Sequence, residues 1–344
     1  MVLMLLEYPD GSQAYLTRNP TGNGKDNILL PLEETGNFRW AIWPQIDNKD
    51  FEPGEWTPFS IDSSSTNPDD EGDDEGDDLA PLCGQSIARY TQRNQDLHKA
   101  VGRILFRFGT NNYICSGTLV EGNDDRAIIA TAAHCIYDTK SKQFPTYVMF
   151  IPGQDDGGTD GSDFDCNNDP HGCFYPTIGV ISDEYTTATF QGGFQYDYGF
   201  YVAPDSDAGN NNAGSAGKIK SLKPMGITFN GMTVGGNTHL FGYPGSHDPQ
   251  FMYTEGRAET SPITDGGWYV DCSGLTGGAS GGPWTQSDPA TGQMVVASVN
   301  SWGWGDGSTG MGSPPYDTGG AECVYNAANS ANMAGSHITA SCPK

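Results

Sequence analysis

The chain has 344 residues, long enough to bury a sizeable core. Its 47 glycines, 22 prolines and 11% aromatics describe a loop-rich β protein. A formal charge of −26, with only 17 Lys and Arg, argues against nucleic acid and anionic membrane surfaces as partners, because both need basic patches.

No run approaches the roughly 20 apolar residues of a membrane span. The opening Met1-Val-Leu-Met-Leu-Leu lacks a leading positive charge and reads as too short for the apolar region of a signal peptide. Residues 1–61 hold aromatic strand-like pieces, Phe38-Arg-Trp-Ala-Ile-Trp and Phe51 through Trp56. They read as an N-terminal extension: a folded pro-segment in first place, an accessory binding module or a strap otherwise. Residues 62–82 contain Asp69-Asp-Glu-Gly-Asp-Asp-Glu-Gly-Asp-Asp. Like charge this dense repels itself, so the segment is expected to be a disordered linker. It lacks the spaced alternation and closing glutamate of an EF-hand. Arg89 and Arg93 are the cleavage points expected if the extension is removed.

Residues 83–344 read as one domain of short strands. Gly102–Phe108, Tyr113–Val120, Ala127–Thr131, Thr146–Ile151, Gly199–Val202, His239–Tyr243, Trp268–Asp271 and Met294–Asn300 are apolar or β-branched runs. Turn chemistry such as Gly109-Thr-Asn-Asn and Glu121-Gly-Asn-Asp separates them. That pattern predicts antiparallel barrels or a sandwich. Ala327–Met333 is expected to form a short C-terminal helix. No repeat of fixed period is present.

Three landmarks carry chemistry: Ala130-Thr-Ala-Ala-His-Cys, Tyr196-Asp-Tyr-Gly and Gly277-Gly-Ala-Ser-Gly-Gly-Pro. A histidine, an aspartate and a glycine-framed serine, in that chain order, can build an acyl-transfer site. A serine hydroxyl needs a base within hydrogen-bond reach to become a nucleophile. His134 is the candidate base, because its unperturbed pKa lies near working pH. Asp197 would orient the imidazole and stabilise its protonated form. The glycines around Ser280 would let the N–H groups of Gly278 and Ser280 converge on a developing oxyanion. Each landmark alone has a bland explanation: a flexible glycine loop, a structural histidine, a surface aspartate. The three in this order, each beside a strand-like run, are much harder to obtain by chance.

Further stretches match in the same order: Val101-Gly-Arg-Ile, Cys115-Ser-Gly-Thr-Leu-Val, Phe241-Gly-Tyr-Pro-Gly, Thr276 through Trp284, and Ser301-Trp-Gly. Over roughly residues 98–305 the chain resembles the trypsin-like serine peptidases of the chymotrypsin fold. It is closer to the microbial secreted branch, which includes glutamyl endopeptidases, than to the animal digestive enzymes. The resemblance implies an all-β fold of two antiparallel six-stranded β-barrels. It implies His134, Asp197 and Ser280 as the triad, and Gly278 with Ser280 as the oxyanion donors. Ser301, Trp302 and Gly303 become the wall that pairs with the substrate backbone. Gly274, Leu275 and Thr276 fall at the floor of the specificity pocket, where no charge is present; an insertion could bring Asp271 there instead. Animal trypsins carry an aspartate just before the nucleophile, where this chain has Ala279, so their zymogen switch is not expected. Glutamyl endopeptidases usually place a histidine where this chain has Asn300, which weakens a preference for Glu. A neutral or aromatic preference is the expectation.

Eight cysteines in an extracellular-looking chain suggest disulfides. Cys166 and Cys173 bracket a turn-forming run that could close a small loop. Cys83, Cys272, Cys323 and Cys342 allow three connectivities. The resemblance implies Cys115–Cys135 beside the catalytic histidine, and Cys272–Cys323, which leaves Cys83 for Cys342. The spacings show no close Cys-x-x-Cys pair, so no metal site is expected. The acidic stretch Gln154–Asp165 could ligate calcium but reads as a solvated loop, and no cofactor is expected.

The expected protein is a secreted serine endopeptidase. It would act as a monomer on protein or peptide substrates, with no nucleic acid or membrane partner. The alternatives are an inactive protease-like binding or adhesion protein, and an enzyme held latent by residues 1–61. If neutral His134 is the base, the rate should fall as pH drops through the mid-sixes; a flat profile from about pH 4 to 8 would exclude it.

Overall fold

A computed structural model of the protein describes residues 2–7, 13–18, 36–46, 49–50, 57–61, 87–90, 96–154, 169, 171–188, 192–205, 219–271, 273–289, 291–303 and 310–342. The chain divides into two units, 1–86 and 87–344. In the first, Val2–Glu7 pairs antiparallel with both Gln13–Arg18 and Gly36–Ile46. Gly36–Ile46 also pairs with Lys49–Asp50 and Thr57–Ile61. The piece Phe38–Trp43 is therefore a strand, as its aromatic content predicts. Phe51–Trp56, the linker 62–82, Arg93 and the stretch 155–165 lie outside the described residues. Arg89 belongs to the strand Ala88–Arg89, which pairs with Met252 and Tyr253.

The second unit is built from three sheets. The first runs Thr146–Pro152, Val101–Phe108, Asn111–Val120, Arg126–Thr131, Gly199–Pro204, Ile178–Ser182 and Ile338–Ala340, with only the last pair parallel. The second contains Gly226–Ile227, Met294–Val299, Pro283–Ser287, Asn237–Gly242, Met252–Arg257 and Ala88–Arg89. The third is Glu259–Thr260, Trp268–Val270, Met311–Ser313 and Trp302–Gly303. The all-β class stands, and among the described residues the sheets have seven, six and four strands. No barrel closes among the described residues. No described helix is long and apolar enough to cross a membrane.

The first sheet covers one core, and the second and third sheets share another. Ile104, Leu119, Ile128, Ile129, Val180, Phe200 and Val202 are wholly buried against the first. Leu240, Val270, Trp284, Ala297 and Met311 fill the second core. Arg126–Thr131 is buried on both faces, which is why it reads as a continuous apolar run rather than an alternating one.

The C-terminal helix is Gly320–Ser330, not Ala327–Met333. Ala321, Val324 and Ala328 are its buried stripe, at helical spacing. A glycine opens it because a Cβ at Gly320 would come within 2.2 Å of Tyr198 Oη. Arg126 Nη1 donates to Ala331 O at 2.7 Å and satisfies a carbonyl beyond the last turn.

Cys115–Cys135 forms, with Cα atoms 6.3 Å apart. The second described bridge is Cys323–Cys342, which overturns both Cys272–Cys323 and Cys83–Cys342. The reason is topological. Ile338–Ala340 adds to Ile178–Ser182, the strand on which the helix packs, so the chain end returns beside Cys323. The two Cα atoms are then 5.7 Å apart, within disulfide reach. Cys173 is also disulfide-bonded. Cys83, Cys166 and Cys272 lie outside the described residues.

Cys323–Cys342 closes a segment with a sequence separation of 19. Replacing both cysteines by alanine should cost about 3 kcal/mol of stability, seen as a lower thermal unfolding midpoint. An unchanged midpoint would mean that strand pairing alone holds the chain end.

Candidate active site

Strand pairing brings the first two chemical residues together. Gly199 lies opposite Thr131 in the first sheet. His134 follows Thr131 by one short turn, and Asp197 precedes Gly199 by two residues, so both emerge at the same end of adjacent strands. Asp197 is 2% exposed. A buried carboxylate needs donors to replace water, and three meet it. The His134 backbone N–H donates to Oδ1 at 2.8 Å, and His134 Nδ1 to Oδ2 at 2.8 Å. Ser301 Oγ donates to Oδ2 at 2.6 Å. Because an ionised carboxylate only accepts, the ring proton sits on Nδ1 and Nε2 keeps its lone pair.

Burial by itself pushes the His134 imidazole down, because it disfavours the charged form. The charge and hydrogen bond of Asp197 outweigh it, and the net shift is upward from 6.5. An acid limb governed by this group therefore lies above the mid-sixes expected from sequence. The Cys115–Cys135 bridge anchors the turn that carries His134, and Tyr201 Oη donates to Cys135 O at 2.7 Å.

Ser280 lies in a turn just before the strand Pro283–Ser287, half-buried. The turn is not a flexible glycine loop. Its backbone is tied by Ala279 N–H to Thr276 O, Gly282 N–H to Ala279 O, and Gly281 N–H to Asn300 O. A Cβ at Gly281 would come 2.0 Å from Thr131 Oγ1, and one at Gly282 2.0 Å from Phe241 O. Gly278 has φ +100°, a region that L side chains rarely adopt. The first sheet meets this turn through Ser116. Its N–H donates to Ser280 O at 2.7 Å, and its hydroxyl to Gly278 O at 2.9 Å. Across the turn, Gly245 N–H donates to Gly277 O at 2.8 Å. That neighbouring segment is anchored by the buried Arg103, which pairs with Asp248 and lies over the Tyr243 ring.

Ser280 O lies 3.8 Å from Cys135 Sγ, so the disulfide beside His134 also abuts the serine turn. His134 hydrogen-bonds to Asp197; among the described residues it makes no hydrogen bond to the Ser280 hydroxyl.

A pocket of about 290 Å³ opens beside the imidazole, lined by His134, Tyr185, Ala188, Phe194, Asp197 and Ser301 among others. Phe194 stacks on Trp302 at 5.6 Å, and Trp302 on Tyr269 at 5.7 Å. Trp302 Nε1–H donates to Thr264 Oγ1 at 3.1 Å. Phe194 and Tyr185 belong to the long stretch before Asp197 and carry no sequence signal of their own. Of the residues expected at the pocket floor, Gly274 is half-buried at φ +69° and Leu275 is buried in the second core. Thr276 is exposed, its hydroxyl 2.8 Å from that of Ser246. Asp271 is exposed. The described metal-ligand atoms that cluster belong to Cys115, His134 and Cys135. Two of these form a disulfide, so the set cannot hold an ion.

No protein-family model and no curated protein matches the chain. Solved structures do. The chain is similar to the protease Anisep from Arthrobacter nicotinovorans, with 25% identity and a TM-score of 0.55 over 69% of this chain and 98% of that one. It is similar to AL20, a thermostable serine protease from an extremophilic microorganism, with 26% identity and a TM-score of 0.54 over 68% and 99%. A Glu endopeptidase solved in complex with MPD shares the fold at 18% identity, with a TM-score of 0.52 over 72% and 97%. The fold and these neighbours define a serine protease of the chymotrypsin type.

The electrostatics of the pair can be checked apart from any activity. By proton NMR, His134 should titrate with a midpoint above 6.5. Asp197→Asn removes the charge that raises it, so burial then dominates and the midpoint should fall below 6.5. The same midpoint in both proteins would remove Asp197 as the cause.

Proposed function

We propose that the protein is a secreted serine endopeptidase that cleaves peptide bonds through an acyl-enzyme on Ser280. His134 Nε2 takes the Ser280 hydroxyl proton as the oxygen attacks the substrate carbonyl carbon. The N–H groups of Gly278 and Ser280 receive the oxyanion of the tetrahedral intermediate. His134 then gives the proton to the departing amine nitrogen, the peptide bond breaks, and an ester to Ser280 remains. Water repeats the sequence and releases the acid. Asp197 keeps the imidazole in the required tautomer throughout. The observation that supports this reading most is the buried Asp197 carboxylate held by His134 and Ser301, which leaves Nε2 as a base.

The substrate is read as an extended peptide. Trp302–Gly303 is the outermost strand of its sheet among the described residues, an edge to which such a peptide can add. Gly274, Leu275 and Thr276 remain the proposed floor of the pocket for the residue before the cleaved bond. A neutral or aromatic residue fits it best, because Asp271 is exposed and Asn300 is wholly buried. The enzyme is proposed to act as a monomer, with residues 1–61 as a pro-segment and 62–82 as its linker.

A fluorophosphonate probe should form an adduct on Ser280, and Ser280→Ala should lose both the adduct and about 10⁴-fold or more in turnover. Full proteolysis by the alanine variant would exclude the assignment. In the wild type, kcat/KM should rise with pH through a midpoint above 6.5, because only neutral His134 can accept the proton.

A further inference from the structure

Asn300 lies behind the Ser280 turn, wholly buried. Its Oδ1 accepts from Trp284 Nε1–H at 2.8 Å. An indole N–H can only donate, so the atom facing it must be the amide oxygen. Nδ2 is thereby turned to the opposite side. There it donates to two carbonyls, Phe241 O at 2.8 Å and Ala279 O at 2.9 Å. The orientation of this side chain is dictated by its neighbours' chemistry.

The carbonyl of Ala279 shares a peptide plane with the N–H of Ser280. In a trans peptide the two point in opposite directions. Drawing Ala279 O inward to Asn300 therefore turns the Ser280 N–H outward. Gly282 N–H bonds the same oxygen at 2.9 Å, so both lone pairs are used. The neighbouring plane follows the same rule: Gly245 N–H holds Gly277 O, which turns the Gly278 N–H away from Gly245. Ala279 offers no polar side chain to share the task. Among side chains, only Asn300 donates to the plane that carries the Ser280 N–H, among the described residues.

We infer that Asn300 is a positioning residue, which fixes the Ala279–Ser280 peptide so that the Ser280 N–H faces the developing oxyanion. The inference rests on the protease reading, because that N–H has a task only if Ser280 is the nucleophile. It also removes Asn300 from substrate recognition, since both amide hydrogens are used inside the protein.

Asn300→Asp keeps the shape and loses the two donors. Removing an oxyanion donor outright costs about 10²–10³ in kcat, and misdirecting one should cost roughly 10–10². We expect that fall in kcat with KM changed less than about twofold. Affinity for a peptide boronate, which forms a tetrahedral adduct with an oxygen at the oxyanion position, should weaken by the same factor as kcat/KM. Preference across a substrate library should stay as in the wild type. Trp284→Phe is the second variant. It frees Oδ1 and lets the amide turn over, so it should lower kcat and boronate affinity by a smaller factor and leave KM in place. Ser298→Ala removes a different buried hydroxyl, one that donates to Pro314 O, and should leave kcat and boronate affinity as they are.

A folded Asn300→Asp enzyme with wild-type kcat and boronate affinity would overturn the proposal. So would a changed residue preference with boronate affinity retained, which would make Asn300 a substrate contact. If Asn300→Asp does not fold, unchanged kcat in folded Trp284→Phe overturns it. Absence of a fluorophosphonate adduct on wild-type Ser280 would sink the protease reading and the inference with it. An adduct there with full activity in the variants would sink the inference alone.

Discussion

A carboxylate taken out of water at the junction of β-sheets has to be met by donors from the protein, and the Asp197 site is organised around that requirement. Its partners come from separate parts of the chain: a backbone N–H and a ring nitrogen after the fourth strand of the first sheet, and a hydroxyl at the edge of the third sheet. Each sheet must therefore end where it does for the charge to be tolerated. The same contacts decide the proton's position on His134. A stability requirement and the one that the proposed chemistry would impose are met by one set of hydrogen bonds.

The serine turn obeys a different constraint, that of space. Gly278, Gly281 and Gly282 have no room for side chains, because strand backbone, hydroxyls and carbonyls approach from several sides. Close approach lets Ser116, Gly245 and Asn300 grip the turn's carbonyl oxygens directly. The turn is thus ordered by packing, although its composition is that of a flexible loop.

Much of this was legible beforehand. The order of His134, Asp197 and Ser280 pointed to the proposed chemistry because each required residue type stands beside a strand-like run. Strand positions from 101 to 131 were readable because short apolar runs are separated by strong turn formers. The Cys115–Cys135 bridge followed from family resemblance. The C-terminal helix was misplaced by seven residues at its start because Gly320 is a poor helix former, and only contact with Tyr198 explains it. The Cys323–Cys342 pairing was missed because it depends on a parallel strand added from the chain end, which no local pattern announces.

The sequence by itself determined the β class, the short-strand rhythm and the inventory of reactive groups, because these depend on residue type, turn propensity and spacing along the chain. Tertiary structure alone decided which groups meet. Asn300 read only as a departure from the histidine usual in glutamyl endopeptidases until Trp284, Phe241 and Ala279 closed around it, and Phe194 had no role until it stacked on Trp302. Hydrogen bonds between residues far apart in the chain depend on how sheets are joined and packed, and that long-range geometry leaves no signature in any local stretch of sequence.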